Sequence, residues 1–94
     1  MDELRGEMNK IKPPTFDGER KKDEDVEIWL LGMRKYFQLH NYSSHAEGII
    51  SIYKIKGKTS TWWDHLVKVK HIKEKNVTWN EFKKYFEKKY LTKR

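Results

Sequence analysis

The chain has 94 residues, no cysteine and a formal net charge of +7 at neutral pH. This length fits one small domain, and the absence of cysteine excludes disulfides, zinc knuckles and a thiol nucleophile. No segment is apolar and long enough to span a bilayer, and the charged start, MDELRGEMNK, does not resemble a secretory signal.

The positive charge is concentrated in the second half of the chain. Residues 1–47 contain 8 Lys or Arg and 10 Asp or Glu residues, a net charge of −2, whereas residues 48–94 contain 13 and 4, a net charge of +9. Such a gradient can guide head-to-tail contact between copies or hold a polyanion on one side. The alternative is a lysine-rich surface that only keeps the domain soluble.

The N-terminal part is predicted to be non-helical. Residues 1–11 show no sustained apolar period and are expected to be flexible. Residues 12–18 are expected to form an extended arm, because Pro13 and Pro14 restrict the backbone and lack N–H donors. Phe16 is the one large apolar side chain of this arm, so it either pins the arm to a helical core or is exposed to a partner. Pinning is favoured, since a monomer gains nothing from a lone exposed ring.

Four helices are predicted from apolar residues that recur at the helical period. Their expected ranges are about residues 24–40, 45–56, 58–73 and 79–90. Asp23 is the N-cap candidate of the first helix, whose acidic first turn suits the helix macrodipole. The second and fourth helices begin at capping boxes, Ser44 with Glu47 and Thr78 with Glu81.

The fold class that follows is all-α, a compact bundle of four main helices with an extended N-terminal arm, because no segment alternates with the period of a strand. Gly57 is placed to end the second helix in a left-handed conformation, and Gly32 indicates a close helix–helix crossing. Ile28, Leu31 and Tyr36 are expected to widen the apolar face of the first helix. The predicted core consists of Trp29, Leu30, Met33, Phe37, Ile49, Ile50, Tyr53, Trp62, Leu66, Val69, Trp79, Phe82 and Phe86.

The sequence carries no pattern typical of catalysis or of metal binding. His65 and His71 lie six residues apart on the third helix, which misses the i, i+4 spacing of a helical metal site. The acidic residues cluster in the first turns of the first helix, and no P-loop, GxGxxG or GxSxG motif occurs. The sequence therefore predicts no enzyme, no cofactor and no catalytic or metal-binding residue.

The last helix alternates lysine pairs with aromatic residues, a pattern that can bind nucleic acid. Its rings, however, fall at the spacing of a core face, so they are expected to be buried and unavailable to stack on bases. The remaining basic face predicts weak, salt-sensitive and non-specific RNA binding at most.

Four motifs occur in a fixed order along the chain: Phe16-Asp17-Gly18 in the arm, a helix with Trp29, then Gly57 followed by Trp62-Trp63, and Thr78-Trp79 with Phe82. In these motifs the sequence resembles the N-terminal capsid domain of the Gag protein of gypsy-type (Metaviridae) LTR retrotransposons. The resemblance spans about residues 12–91. Thr59 stands where that family usually has alanine.

The resemblance implies that residues 12–94 form an all-α capsid N-terminal lobe with a structural role. Its copies would pack through Gag–Gag contacts into a capsid shell, a cytoplasmic virus-like particle around the element's RNA, while the isolated domain is compatible with a monomer. In the family a second helical lobe and often a zinc knuckle follow. A domesticated relative, the neuronal Arc protein, binds partner peptides in a groove of the corresponding lobe. A peptide-binding lobe is therefore the alternative, and neither function implies a membrane partner.

Ring contacts between copies require two unlike, complementary surfaces. The acidic start of the first helix and the basic third and fourth helices offer such a pair. The candidate surface for self-association or for a partner consists of Phe16, Asp23, Glu24, Asp25, Lys83, Lys84, Lys88 and Lys89.

Overall fold

The computed structural model describes residues 12–19 and 22–91. Over these residues the chain forms four α-helices: α1 (Asp23–Gln38), α2 (Ser44–Lys54), α3 (Gly57–Lys70) and α4 (Trp79–Tyr90). A short 3-10 helix, Glu74–Asn76, lies between α3 and α4. The described residues contain no β-strand, only one isolated bridge, so the predicted all-α class is confirmed. The prediction of a flexible segment at residues 1–11 falls outside the described residues.

Three of the four helices begin one residue earlier than predicted, and α4 begins at the predicted residue. Asp23 is already helical, and the N-cap position of α1 is Lys22, which makes no side-chain capping bond. The cap of α2 is Ser43 rather than Ser44: its Oγ accepts from the Ala46 N–H at 3.1 Å. The cap of α4 is as predicted, since its capping box at Thr78 is present.

The first three helices end two or three residues earlier than predicted. In α2 and α3 the chain turns at identifiable residues. Ile55 is extended and pairs with the arm, so α2 stops at Lys54. Gly57 does have a positive φ of 52°, but it begins α3 instead of closing α2. His71 takes a left-handed conformation with φ 54°, which ends α3 at Lys70 and not near residue 73.

An aromatic core fills the space between the arm, α1, α3 and α4. Its most deeply buried large side chains are Trp63, Phe82 and Phe86, each at most 1% exposed. Their rings lie within van der Waals range, with centroids 5.2 Å apart for Trp63 and Phe82 and 5.8 Å for Phe82 and Phe86. Trp63 also donates its indole N–H to the Glu74 carboxylate at 3.1 Å, so this buried ring has a partner for its one polar atom.

The structure changes the core predicted from the sequence. Trp29, Leu30, Met33, Phe37, Phe82 and Phe86 are buried, while Ile49, Ile50, Trp62, Leu66 and Trp79 are half-buried. Two core predictions are wrong: Tyr53 is 70% exposed and Val69 is 60% exposed. Val69 follows the buried Trp63 by six residues, which places it about 120° away around α3. The additional core residues are Phe16, Val26, Ile55, Trp63 and Val77.

Tyr53 is exposed because α2 buries its small residues instead of its large ones. Gly48 and Ser51 are the buried residues of α2. A Cβ atom added at Gly48 would overlap the backbone carbonyl of Val77, at the start of the segment that leads into α4. The Ser51 hydroxyl donates to the Glu47 carbonyl at 2.9 Å, which satisfies it within the helix. Close packing of α2 backbone against α4 therefore turns Tyr53 outward.

We expect Gly48→Ala to lower the free energy of unfolding by about 1–3 kcal/mol, because the methyl group would collide with the rigid Val77 carbonyl. At an exposed helix position the same replacement would stabilise by up to about 1 kcal/mol, so the sign of the change is informative. Urea denaturation of the variant measures it, with His45→Ala on the exposed side of α2 as the control. A more stable Gly48→Ala protein would contradict the close contact.

Candidate functional site

The candidate functional features of the described residues are surfaces. They contain no group of three or more His, Cys, Asp or Glu side chains placed to hold a metal ion. None of the helices within residues 12–19 and 22–91 is long and apolar enough to cross a membrane. The features that remain are the arm, its groove against α1, and the charged faces of the helices.

Phe16 lies inside the core and not on the surface. It is 6% exposed, and its ring centroid lies 5.7 Å from that of Trp29, 5.2 Å from Phe86 and 5.3 Å from Tyr90. Its inclusion in the candidate partner surface is therefore wrong, because the ring is covered by α1 and α4. The structure instead shows the favoured alternative, in which Phe16 pins the arm to the helical core.

Backbone hydrogen bonds fasten the arm on both sides of this ring. The Phe16 N–H donates to the Lys54 carbonyl at 3.0 Å, and the Lys56 N–H donates to the Phe16 carbonyl at 2.8 Å. The indole N–H of Trp29 donates to the Pro14 carbonyl at 3.0 Å. The arm therefore joins α1 to the α2–α3 connection, and its position is fixed by three bonds that involve the main chain.

Gly18, the last residue of the arm, packs against a hydrogen bond between side chains of α3 and α4. The hydroxyls of Thr59 and Tyr90 lie 2.7 Å apart. Gly18 has a φ of 83°, and a Cβ atom there would come within 2.7 Å of the Thr59 Oγ1. The threonine that departs from the usual alanine of the Gag pattern thus supplies a polar tie beneath the arm, which an alanine could not make.

The arm and α1 together line a groove of about 430 Å³. Pro14 and Ile28 contribute apolar walls, and Asp17, Glu19 and Asp25 also line the groove. Ile28 is 61% exposed. Leu31 is 49% exposed as well. The prediction that Ile28 and Leu31 widen the apolar face of α1 is therefore wrong, because the buried face of this helix is narrower than the sequence suggested.

Gly32 serves the arm rather than a helix–helix crossing. A Cβ atom at this position would lie 3.0 Å from the Pro14 ring. A side chain at this position would therefore fit only if the Pro14 ring moved away by a few tenths of an ångström. The predicted crossing is replaced by this contact between an extended segment and a helix.

The charged candidate residues lie on the two surfaces that the sequence predicted to pair, one on α1 and one on α4. Asp23, Glu24 and Asp25 all lie in the first turn of α1. On α4 the side chains of Lys84, Lys88 and Lys89 are exposed.

Lys83 is set apart from the other lysines of α4. It is half-buried and lines a groove between α1 and α4 together with Arg34 and Trp79. The exposed basic face of α4 is therefore smaller than the sequence suggested.

A tyrosine pair at the end of α1 carries the one large pKa shift among the described groups. The hydroxyl oxygens of Tyr36 and Tyr42 lie 3.4 Å apart, and the His40 ring stacks on Tyr42 with centroids at 5.0 Å. The hydrogen bond to Tyr42, with smaller effects of burial and charge, raises the pKa of Tyr36 to about 12. The loop after α1 is thus tied to the helix by a bond that favours a neutral Tyr36.

We expect this tie to weaken at alkaline pH. Because the pKa of Tyr36 is raised from 10.0 to about 12, its contribution to stability is complete below pH 10 and is lost as the pH rises through about 12. A spectrophotometric titration of tyrosinate should show one late-ionising tyrosine that is absent in Tyr36→Phe. In Tyr42→Phe the pKa of Tyr36 should fall toward 10; an unchanged late ionisation there would contradict the role of the Tyr42 hydroxyl.

Comparison with known proteins identifies the family. The model of the family described as "Retrotransposon-derived protein PEG10, N-terminal capsid-like domain" matches residues 10–91. The chain belongs to this family. The match confirms the resemblance to a retrotransposon Gag capsid N-terminal domain, and this family is structural and non-catalytic. No curated protein and no solved structure matched the chain.

Proposed function

We propose that this domain is a building unit of a Gag-type capsid shell that encloses element RNA in the cytoplasm, as in gypsy-type LTR retrotransposons. The observation that carries the proposal is the capsid-like family match over residues 10–91. The packing is consistent with it, because the aromatic side chains fill a closed core and leave charged outer surfaces for contact between copies.

The contact between copies that we propose joins unlike surfaces. The acidic first turn of α1 on one copy faces the basic side of α4, which carries Lys84, Lys88 and Lys89, on the next copy. An unlike pair repeats around an axis and can close into a ring. Because exposed charges are screened over about 10 Å at moderate salt, such a contact is weak for one pair and depends on many pairs forming together.

Reversal of charge on α4 should disrupt this association. We expect Lys88→Glu to raise the concentration needed for assembly at least about threefold, because attraction becomes repulsion at an exposed contact. Static light scattering at about 50 mM and about 500 mM salt measures assembly. The matched control is Lys12→Glu, an equal charge change at an exposed position of the arm. Assembly that is indifferent to Lys88→Glu and to salt would contradict the contact.

The arm–α1 groove supports peptide binding as a second candidate function. Its wall includes the exposed Ile28, and three carboxylates, Asp17, Glu19 and Asp25, stand along it. We propose that it takes a peptide with an aliphatic anchor between lysine or arginine residues. Deletion of the arm cannot test this function, because it would also remove Phe16 from the core.

A substitution on the groove wall gives a cleaner test. We expect Ile28→Asp to weaken binding of a fluorescent Lys-Leu-Arg-type peptide about tenfold or more, since it places a charge against the aliphatic anchor. Val69→Asp on α3, at a similarly exposed aliphatic residue outside the groove, is the control and should bind as the unmodified protein does. Equal loss in both variants would contradict binding in this groove.

A weak contact with RNA is compatible with either function. The exposed lysines of α4 can pair with phosphates, but Phe82 and Phe86 are fully buried and unavailable for stacking on bases. Such binding would therefore be non-specific and would fall steeply as salt increases.

A further inference from the structure

The outer side of α1 carries a ridge of four exposed residues: Glu24, Ile28, Leu31 and Lys35. At about 100° per residue these positions fall within about 60° of one another, so they form one line along the helix. Ile28 is 61% exposed and Leu31 is 49% exposed, although both are large aliphatic residues. We call this line the α1 ridge.

Grooves lie on both sides of the α1 ridge. One groove is shared by Ile28 and the arm, and the other is shared by Leu31 with Arg34 and Trp79. The ridge therefore stands clear of the arm and of α4. A line of exposed side chains at spacings of three and four residues is the seam along which two helices pack side by side, which makes this shape suitable for a second helix.

Along the α1 ridge, the order is charged, aliphatic, aliphatic and charged from either end, and only the sign of the charge differs. The spacings are four, three and four residues, so both the aliphatic pair and the charged pair are centred between residues 29 and 30. The acidic member, Glu24, is at the N-terminal end, and the basic member, Lys35, lies about 16 Å away along the axis. A line with this symmetry is complementary to an antiparallel copy of itself.

We infer that the α1 ridge is a two-fold contact between two copies of this chain. In an antiparallel arrangement, Ile28 meets Leu31 of the second copy and Glu24 meets Lys35 of the second copy, and the axis repeats both pairs. Such an isologous contact uses the same patch on each copy. The partner is a second copy of the chain, because each residue of the ridge has its complementary residue on the same ridge and at the matching distance.

The size of the contact sets its strength. Two helices that touch along four residues bury less area than the roughly 1,200 Å² of a stable interface, so an isolated pair is expected to dissociate with a Kd on the order of 0.1–1 mM. Within an assembly of many copies the contact would act at a high effective concentration. The ridge contact joins like surfaces, and it is therefore distinct from the proposed ring contact between the α1 first turn and α4.

Charge exchange tests the inference on the whole 94-residue chain. Glu24→Lys places two lysines opposite each other twice in a homodimer, and Lys35→Glu does the same with two glutamates. Each variant alone should dimerise at least about tenfold more weakly than the unmodified chain, because each of the two exposed attractive pairs becomes repulsive. Mixed together, the two variants form attractive pairs at both ends of the contact. The mixture should dimerise within about threefold of the unmodified chain, measured by sedimentation equilibrium up to about 1 mM.

Two controls separate this contact from others. Asp64→Lys on the exposed side of α3 and Lys88→Glu on α4 change the charge by equal amounts and should leave two-fold dimerisation within about twofold. Leu31→Asp should abolish dimerisation with an unchanged circular dichroism spectrum. Rescue of Glu24→Lys by Lys88→Glu instead of by Lys35→Glu would overturn the ridge contact and support the ring contact. Absence of dimers at 1 mM, or failure of the mixture to recover, would also overturn it.

Discussion

The insertion of the Phe16 ring between α1 and α4 is the contact on which the remaining structure depends. The ring contacts Trp29, Phe86 and Tyr90, and so it connects the extended arm to two helices at once. Burial of one such ring contributes on the order of 2–3 kcal/mol, a large share of the stability of a domain this small. With Phe16 in place, the main-chain bonds of the arm also hold the connection between α2 and α3.

The same packing determines which surfaces are available for function. Most large rings are used in the core, because a chain of this size has room for only one core. The apolar groups left outside, such as Ile28 and Leu31 on α1, are therefore informative. They stand among charged residues on a regular helix, which suits weak and specific contacts between copies better than an enclosed binding site.

Some local features could be predicted from the sequence, whereas features that depend on long-range contacts could not. The capping box at Thr78 and the buried positions of α1 follow from spacing within one helix, and both could be read from the sequence. The exposure of Tyr53 could not, because it results from Gly48 of α2 approaching Val77 far along the chain. Likewise, the sequence allowed two positions for Phe16, and only the assembled fold distinguishes them.

The two contacts proposed between copies differ in their physical basis, and this difference bears on how a shell could form. The contact between the α1 first turn and α4 consists of exposed charges, so screening by salt weakens it throughout. The contact through the α1 ridge adds Ile28 and Leu31, whose burial does not depend on screening by salt. Only the charged residues at the two ends of the ridge respond to salt. Glu24 stands where the two contacts meet, so one copy cannot use it fully in both. In a shell built from both contacts, α1 would therefore set their relative strength. An increase in ionic strength would weaken the ring contacts more than the two-fold contacts, without any change in the fold.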